Sequence, residues 1–275
     1  MSITEDRRSA RPLIIAIASR KGGAGKTTTA LNLAGVLAAQ GVHVLLVDLD
    51  PQASLTRLVL GDDDQEAPGI GARLLTRHAG LDGLARPVYE GVDLVPGDRT
   101  IETAAFSLAD DPTGPLRLRK LLAGVTGYDV ILLDTPPALG FALNSALLAA
   151  SIAVLPTMLA QQDFDALDDT LDMCDRLAEL GAAARLIVAP NAYRGDGSDR
   201  ANIAVLSETY GDLVAAPIPL AVSIKYALTA RQPVALREPA GAAALAYRAL
   251  ARRILAGDVT HAPGAPDVTE EASHA

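Results

Sequence analysis

The chain has 275 residues, of which 49% are hydrophobic, 3% are aromatic and one, Cys174, is a cysteine. A lone cysteine excludes a disulfide framework and argues against a cysteine-bound metal cluster, and we expect Cys174 to be a small buried residue of a helix. The formal net charge of −9 argues against a uniformly basic nucleic-acid binder, and no apolar run reaches the roughly 18 residues of a membrane span.

The first predicted elements are a strand at 13–18 and a helix at 27–40, joined by a glycine-rich turn. Glycines allow backbone N–H groups to turn inward around an anion, and the helix N-terminus adds its dipole and its unpaired N–H groups. This order of strand, turn and helix predicts a phosphate-binding loop, whereas the alternative is a turn that only joins the two elements. The predicted loop consists of Lys21, Gly22, Gly23, Ala24, Gly25, Lys26, Thr27 and Thr28.

The two lysines of this loop are informative because the chain has only four lysines against 20 arginines. A lysine is a compact point charge, whereas an arginine is a planar fork, so lysine here indicates a site that needs a point charge between phosphates. We expect Lys26 to contact the β and γ phosphates of a nucleotide and the Thr27 hydroxyl to ligate Mg²⁺. The predicted cofactors are therefore ATP and Mg²⁺.

Strands and helices alternate along the rest of the chain. Apolar runs predict strands at 42–47, 92–95, 130–133, 152–155, 186–189 and 214–218. Helical patterns lie between most of them, at 116–125, 140–150, 166–180, 201–210 and 241–255. This alternation predicts an α/β fold with a mostly parallel, twisted sheet of about seven or eight strands and helices on both faces. We expect one ATPase domain at 12–256, between a disordered tail at 1–11 and a disordered acidic tail at 257–275.

Three motifs resemble those of the ParA/MinD family of P-loop ATPases. The loop that starts at Lys21 is similar to the family's deviant Walker A motif, KGGxGKTT. The segment Val47-Asp-Leu-Asp-Pro-Gln resembles its DxDPQ switch I, and residues 128–140, YDVILLDTPPALG, resemble its Walker B and switch II. The resemblance covers residues 12–256, and DxDPQ together with DxPP favours the ParA branch, in the short form without an N-terminal DNA-reading domain. It implies a P-loop NTPase fold of the deviant Walker A type.

The resemblance also implies catalytic and metal-binding roles. Lys21 would reach across a dimer to the partner's ATP phosphates, beside the phosphate contacts of Lys26. Asp50 would orient the attacking water, and Asp134 would hold Mg²⁺ through water. Asp48 would support Mg²⁺ in the same way, although an Asp at a strand end is often only a turn or cap residue.

Two further residues lie where related ATPases place contacts to adenine. These are Asn191, which follows a predicted strand, and Pro219. An Asn after a proline is also an ordinary turn former. The resemblance therefore implies an adenine contact at these positions and leaves the turn as the alternative for Asn191.

A cationic stretch near the C-terminus contrasts with the acidic chain. Residues 223–253 hold six Lys and Arg against one Glu, a local charge of +5. Arg248 and Arg252 have a helical spacing that places them on one face. The resemblance implies a homodimer that binds DNA without sequence preference, and we expect the contacts at Lys225, Arg231, Arg248 and Arg252. A solvated helix surface is the alternative.

Three places depart from the family pattern. Ser19-Arg20 precedes Lys21 where ParA proteins often have Asn-Gln, and the segment after Pro156 is about three residues longer than usual. In the family, that segment helps to form the dimer face and contacts partners. Ser223 stands where many relatives have an arginine that can touch DNA.

These motifs predict an ATPase that partitions plasmid or chromosomal DNA, with slow hydrolysis that a ParB-like protein or a cargo adaptor stimulates. A relative that positions a protein cargo on the nucleoid carries the same motifs. A MinD-like membrane ATPase would need a basic amphipathic C-terminal helix, but residues 257–275 are acidic and contain two prolines. An enzyme that acts on a metabolite or metal cluster would need ligands beyond the loop, and the single cysteine argues against a cluster. We therefore expect a cytoplasmic protein, nucleoid-associated when ATP-bound, with no membrane partner.

Overall fold

A computed structural model describes residues 11–61, 68–76, 79–137 and 140–256. The strands of these residues form one seven-stranded sheet in the order β3-β4-β2-β5-β1-β6-β7, and every neighbouring pair is parallel except β3 with β4. The predicted α/β fold with a mostly parallel sheet is confirmed. The strands are β1 Leu13–Ile17, β2 Val44–Asp48, β3 Arg86–Tyr89, β4 Val92–Val95, β5 Val130–Asp134, β6 Ile152–Thr157 and β7 Arg185–Pro190.

Helices connect the strands, and all six predicted helices are present with shifted ends. Within the described residues the α-helices are α1 Lys26–Ala38, α2 Ser54–Leu60, α3 Ile70–Leu75, α4 Thr100–Ser107, α5 Arg117–Leu122, α6 Phe141–Ala149, α7 Gln161–Ala178, α8 Gly197–Tyr210, α9 Val222–Thr229, α10 Val234–Arg237 and α11 Ala242–Leu255. The short helices α2, α3, α4, α9 and α10 were not predicted. Cys174 is buried in α7, as expected.

The helices cover both faces of the sheet. On one face, α1 packs against α10 and α11 over a core that includes Ile15, Ile17 and Tyr247. On the other face, α3 to α7 cover a core that includes Ala16 and Leu45. Because both faces are covered, the central strands are continuous apolar runs rather than alternating ones, which explains why they could be predicted.

The predicted strand at 214–218 is wrong. The Ala215 N–H donates to the Val188 carbonyl at 2.8 Å, which begins a parallel pairing with β7. A regular ladder would next use the N–H of residue 217, but this residue is a proline and has none. Ile218 donates the next bond instead, out of register, so the segment holds only isolated bridges.

The strand that was not predicted, β3, is the antiparallel edge of the sheet. It has four residues, includes Pro87, and none of its residues is buried. Such a strand has neither a buried apolar run nor a clear alternation. The seventh strand therefore lies at this edge and not beyond β7.

Some of the predicted segments lie outside the described residues. These are residues 1–10 and 257–275, which include almost all of the two predicted tails, and residues 138–139 of the switch II segment. None of the described helices is both long and apolar enough to cross a membrane.

The sheet brings the predicted site residues to one edge. In the register of the strands, Asp48 at the end of β2 is opposite Asp134 at the end of β5, and Asp134 is opposite Ile17 at the end of β1. The glycine-rich loop follows β1 directly. Ligands of open α/β sheets bind at this carboxyl edge, where the connections diverge, so the fold places the loop and both carboxylates at a suitable position.

Candidate nucleotide-binding site

The glycine-rich loop turns through two left-handed positions, Gly23 with φ 79° and Gly25 with φ 92°. Gly25 is the N-cap of α1, and no side chain caps this helix start. The first N–H groups of α1 are therefore available to an anion. A Cβ atom at Gly25 would lie 2.1 Å from Nδ2 of Asn191, so glycine is required by space as well as by φ.

Lys26 begins α1 and is buried, with 7% of its surface exposed. Its ammonium donates a hydrogen bond to the Lys21 carbonyl at 3.1 Å. Burial lowers the pKa of Lys26, while the carboxylates of Asp134 and Asp50 oppose this shift. A desolvated ammonium inside the loop binds an anion strongly because little water competes for its charge.

Thr27 and Asp134 form the part of the site that suits a metal ion. The Thr27 hydroxyl donates to Oδ2 of Asp134 at 2.7 Å. Asp134 is fully buried, and its Oδ1 has no hydrogen-bond donor among the described residues. Burial and the nearby Asp48 raise the pKa of Asp134 well above its usual value, against the opposing effects of Thr27 and Lys26. An unsatisfied carboxylate oxygen beside a hydroxyl fits Mg²⁺, which prefers oxygen ligands and retains waters.

The Asp48 carboxylate faces the switch I segment. Its Oδ2 accepts hydrogen bonds from the N–H and hydroxyl of Thr56, at 2.8 and 2.7 Å, and its Oδ1 accepts from the Asp50 N–H at 3.0 Å. Burial raises the pKa of Asp48 to about 6, although the Thr56 bonds oppose the shift. The Thr56 hydroxyl also accepts from the Gly97 N–H at 2.9 Å. Asp48 therefore organises switch I through Thr56, a residue that the sequence did not indicate, and its magnesium role stays a prediction.

Asp50 lies at the start of the turn that leads into α2. Its Oδ1 accepts from the Gln52 N–H at 2.9 Å, and its Oδ2 is 3.5 Å from the Ser54 hydroxyl. Its charge also acts on Lys26, so Asp50 is close to the phosphate loop. This position suits the predicted role in orienting water, which no contact in a single chain tests.

Lys21 does not share the environment of Lys26. Its ammonium pairs with Asp163 in the first turn of α7. The neighbouring Arg20 pairs with Asp169, also on α7, and the Arg20 N–H donates to the Thr170 hydroxyl at 3.4 Å. Arg20 and the first residue of the loop, Lys21, are thus held against α7 within one chain. Sequence reasoning missed Asp163, although it lies in the segment that departs from the family pattern.

The two predicted adenine-contacting residues lie close to the loop. The Asn191 side chain donates to the Ala24 carbonyl at 3.1 Å and accepts from the Ala192 N–H at 2.9 Å. Pro219 forms an isolated bridge with Tyr193, two residues after Asn191. The Asn191 amide therefore supports the phosphate loop directly, and a contact of either residue with adenine stays a prediction.

The predicted DNA-contacting residues lie on α9 and α11 and between α9 and α10, on the α1 side of the sheet. Lys225 and Arg252 are exposed and Arg248 is half-buried, and no ion pair of these three is found among the described residues. Arg253 differs, because its guanidinium donates to the Asp212 carbonyl. Arg248 and Arg252 are therefore cations of α11 without an ion pair among the described residues, and a DNA contact of either stays a prediction.

Arg231 is in an unusual position for a DNA contact. Its backbone is left-handed, with φ 56°, and its carbonyl accepts from the Tyr89 hydroxyl. A Cβ atom at Gly61 would lie 2.4 Å from a guanidinium nitrogen of Arg231, so this guanidinium lies over the end of α2. Arg231 therefore contacts the helix that follows switch I.

Comparisons with known proteins show the family of this chain. A family model described as an AAA domain matches residues 13–182. The chain is 35% identical over 255 residues to the chromosome-partitioning ATPase Soj of Thermus thermophilus, an alignment that covers 88% of this chain and 95% of the relative.

Two solved structures have a similar fold. The ATP complex of McdA(D38A) from Cyanothece has a TM-score of 0.81 at 24% identity and covers 90% of this chain and 98% of its own. Cobyrinic acid a,c-diamide synthase from Mycobacterium smegmatis, with bound ADP and magnesium, has a TM-score of 0.76 at 26% identity and covers 89% and 94%.

Proposed function

The chain belongs to the ParA/MinD family of P-loop ATPases, and we propose that it is a partition ATPase that pairs on ATP, binds DNA and is released by partner-stimulated hydrolysis. The observation that carries this proposal is the similarity to a chromosome-partitioning ATPase over 88% of this chain and 95% of the relative. ATP and Mg²⁺ are cofactors of this family, and the buried Lys26 and the Thr27–Asp134 pair fit them.

The residues of one subunit would bind the nucleotide. Backbone N–H groups of the loop and the start of α1 would surround the phosphates, and the Lys26 ammonium would exchange the Lys21 carbonyl for phosphate oxygens. The Thr27 hydroxyl and Asp134 would hold Mg²⁺, directly and through water. When bound, Mg²⁺ neutralises charge on the phosphates during transfer.

Hydrolysis would require a second subunit. Asp50 would orient the attacking water, and its hydrogen bonds to the switch I turn fix its position. The partner's Lys21 would neutralise charge in the transition state, as an arginine finger does. One carboxylate that positions water is a weak catalyst without an activator, so we expect slow basal turnover and stimulation by a ParB-like protein or a cargo adaptor.

DNA binding would use the cations on the α1 side of the sheet. Arg248 and Arg252 are free of ion pairs among the described residues, and Lys225 is exposed on α9. Pairing of two subunits would double these contacts on one duplex, so avidity alone could make DNA binding depend on ATP. Phosphate contacts carry no base information and release counterions, so binding would be non-specific and steeply weakened by salt. Such binding would place the ATP-bound protein on the nucleoid.

Fluorescence anisotropy with a random-sequence duplex tests this proposal, with ATP or ADP and across a salt series. We expect binding with ATP only, and loss of most of it when Lys225, Arg248 and Arg252 are all changed to Ala. A matched control changes Arg119, Lys120 and Arg176, three exposed cations on the opposite side of the sheet, so that the net charge falls equally. Absence of ATP-dependent binding at low salt, or equal losses in both triple variants, would reject this DNA surface.

A further inference from the structure

Arg20 and Lys21, at the N-terminal end of the phosphate loop, contact α7 at three points. The Lys21 ammonium pairs with Asp163, the Arg20 guanidinium pairs with Asp169, and the Arg20 N–H donates to Thr170. None of these contacts involves Lys26, Thr27 or Asp134, the residues that would hold phosphate and Mg²⁺. They hold the lysine that is predicted to act on a partner's ATP within its own subunit.

The Asp163 carboxylate is a fixed and buried charge. Its side chain is 3% exposed, and the Lys21 ammonium is the partner found for its Oδ1 among the described residues. A buried carboxylate without a countercharge is costly, so the Lys21 ammonium is its natural partner. The position of Asp163 in the first turn of α7 adds the favourable end of the helix dipole, which stabilises the carboxylate when the ammonium leaves.

The start of α7 is itself anchored, so Lys21 is the member of the pair that can move. The Thr157 hydroxyl at the end of β6 is 3.5 Å from the Asp163 carbonyl, and the Asn202 side chain donates to the Leu159 carbonyl at 2.8 Å. The Lys21 side chain, in contrast, is 30% exposed and ends a flexible stem. A competing anion at the loop entrance would therefore draw Lys21 away without moving the helix.

We propose that Asp163 is a positioning residue that retains Lys21 in its own subunit until the phosphates of a second, ATP-loaded subunit compete for it. This inference rests on the proposed function, in which Lys21 acts across the dimer. Only subunits whose Lys21 has left Asp163 are competent to pair. The apparent dimer affinity is therefore reduced in proportion to the fraction of subunits in that state. Arg20 and Asp169 reinforce the retention from the surface.

Arg20, which precedes Lys21, and Asp163 both lie where the sequence departs from the family pattern. Arg20 replaces the residue that usually precedes the lysine, and Asp163 belongs to the lengthened segment after Pro156. The strength of this retention sets how much ATP-loaded partner is needed for pairing.

The test measures dimerisation by sedimentation, in a titration with a non-hydrolysable ATP analogue. We expect Asp163→Asn to reduce the analogue concentration at half-maximal dimerisation about tenfold, equivalent to about 1.4 kcal/mol. Arg20→Ala removes a partly exposed side chain and should leave folding intact. It should reduce the same analogue concentration about threefold. The control is Asp165→Asn, which removes an exposed charge on the same helix. An unchanged or higher requirement in Asp163→Asn and Arg20→Ala, or an equal change in Asp165→Asn, overturns the proposal.

A second measurement separates this proposal from the role of Lys21 in the dimer. The chain has four lysines, so ¹³C-labelled lysine gives few side-chain NMR signals, and Lys21→Ala identifies the one from Lys21. In nucleotide-free protein, Asp163→Asn should shift that signal and Asp165→Asn should not. A Lys21 signal that does not shift in Asp163→Asn contradicts the proposal that Asp163 retains Lys21. A responsive signal in a protein whose Lys21→Ala variant still dimerises and hydrolyses ATP normally contradicts the proposed function instead.

Discussion

The two halves of the phosphate loop are held in opposite ways. In the C-terminal half, Lys26 is buried, the Thr27 hydroxyl bonds to Asp134, and Gly25 lies against Asn191. Together these residues form a cradle that suits phosphate and a metal ion. At the N-terminal end, Lys21 and the preceding Arg20 are partly exposed and pair with carboxylates of α7. The motif is continuous in sequence, yet only its second half is arranged for the nucleotide of its own subunit. The difference predicts that the nucleotide site is preformed, whereas the proposed contribution of Lys21 to a partner subunit requires a rearrangement.

The largest effect is expected in the preformed half. Lys26→Ala should weaken ATP binding about a thousandfold, because the loop loses a desolvated ammonium that would make charge-assisted bonds to two phosphates. Isothermal titration calorimetry measures the affinity. The matched control is Lys120→Ala, an exposed lysine on α5, which should bind as the parent does. Unchanged affinity in Lys26→Ala would remove this loop from the nucleotide site.

The corresponding change in the other half should separate binding from turnover. Lys21→Ala should keep ATP affinity within about twofold but lower hydrolysis about three-hundredfold, because the missing charge acts only in the dimer's transition state. It also leaves Asp163 buried without its countercharge, so stability should fall by about 1–2 kcal/mol. Single-turnover hydrolysis and thermal unfolding measure the two effects.

The double variant Lys21→Ala/Asp163→Asn is the control for this prediction. It should recover the stability, because the unpaired charge is gone, without recovering hydrolysis. Hydrolysis at the parent rate in Lys21→Ala would contradict the comparison between the two halves, since Lys21 would then contribute nothing to hydrolysis.

Asp50 stands between the two halves, near Lys26 but outside the buried cradle. Asp50→Ala should lower hydrolysis about fiftyfold and leave the ATP-bound dimer to accumulate, because the residue only positions water. Gel filtration with ATP and a phosphate-release assay measure this. Asp50→Asn is the matched variant, as it can keep the hydrogen bond from the Gln52 N–H and should also be slow. Fast turnover of either variant would reject the role of Asp50.

The same contrast explains what the sequence could predict. The cradle consists of glycines with positive φ, a lysine, a threonine and a carboxylate at a strand end. The types of these residues and their order in the sequence are enough to predict their chemistry. The buried strands were readable because both faces are covered. The pairing of Lys21 with Asp163 depends on how α7 packs beside the loop, and the bonds of Asp48 depend on where α2 begins. Neither contact leaves a local pattern in the sequence. The same holds for Pro217, because its effect on the last predicted strand depends on how that segment pairs with β7.

The smallest effect concerns Asn191, where two roles can be separated by the base of the nucleotide. The side chain donates to the Ala24 carbonyl and lies against Gly25, so it supports the preformed half of the loop. Loss of this bond in Asn191→Ala should weaken ATP and GTP binding alike, about fivefold, as expected for one hydrogen bond of about 1 kcal/mol. Asn191→Asp should be weaker still, because a carboxylate would face the Ala24 carbonyl and repel phosphate.

Competition against a fluorescent nucleotide measures both affinities in the parent and in the two variants. A loss for ATP that exceeds the loss for GTP adds an adenine contact to the loop contact, since only the base differs between the ligands. A variant that binds GTP as the parent does, but ATP less tightly, would contradict the support of the loop, because the Ala24 bond would then have no effect on phosphate binding. The outcome decides whether the preformed half of the site recognises phosphate alone or the whole nucleotide.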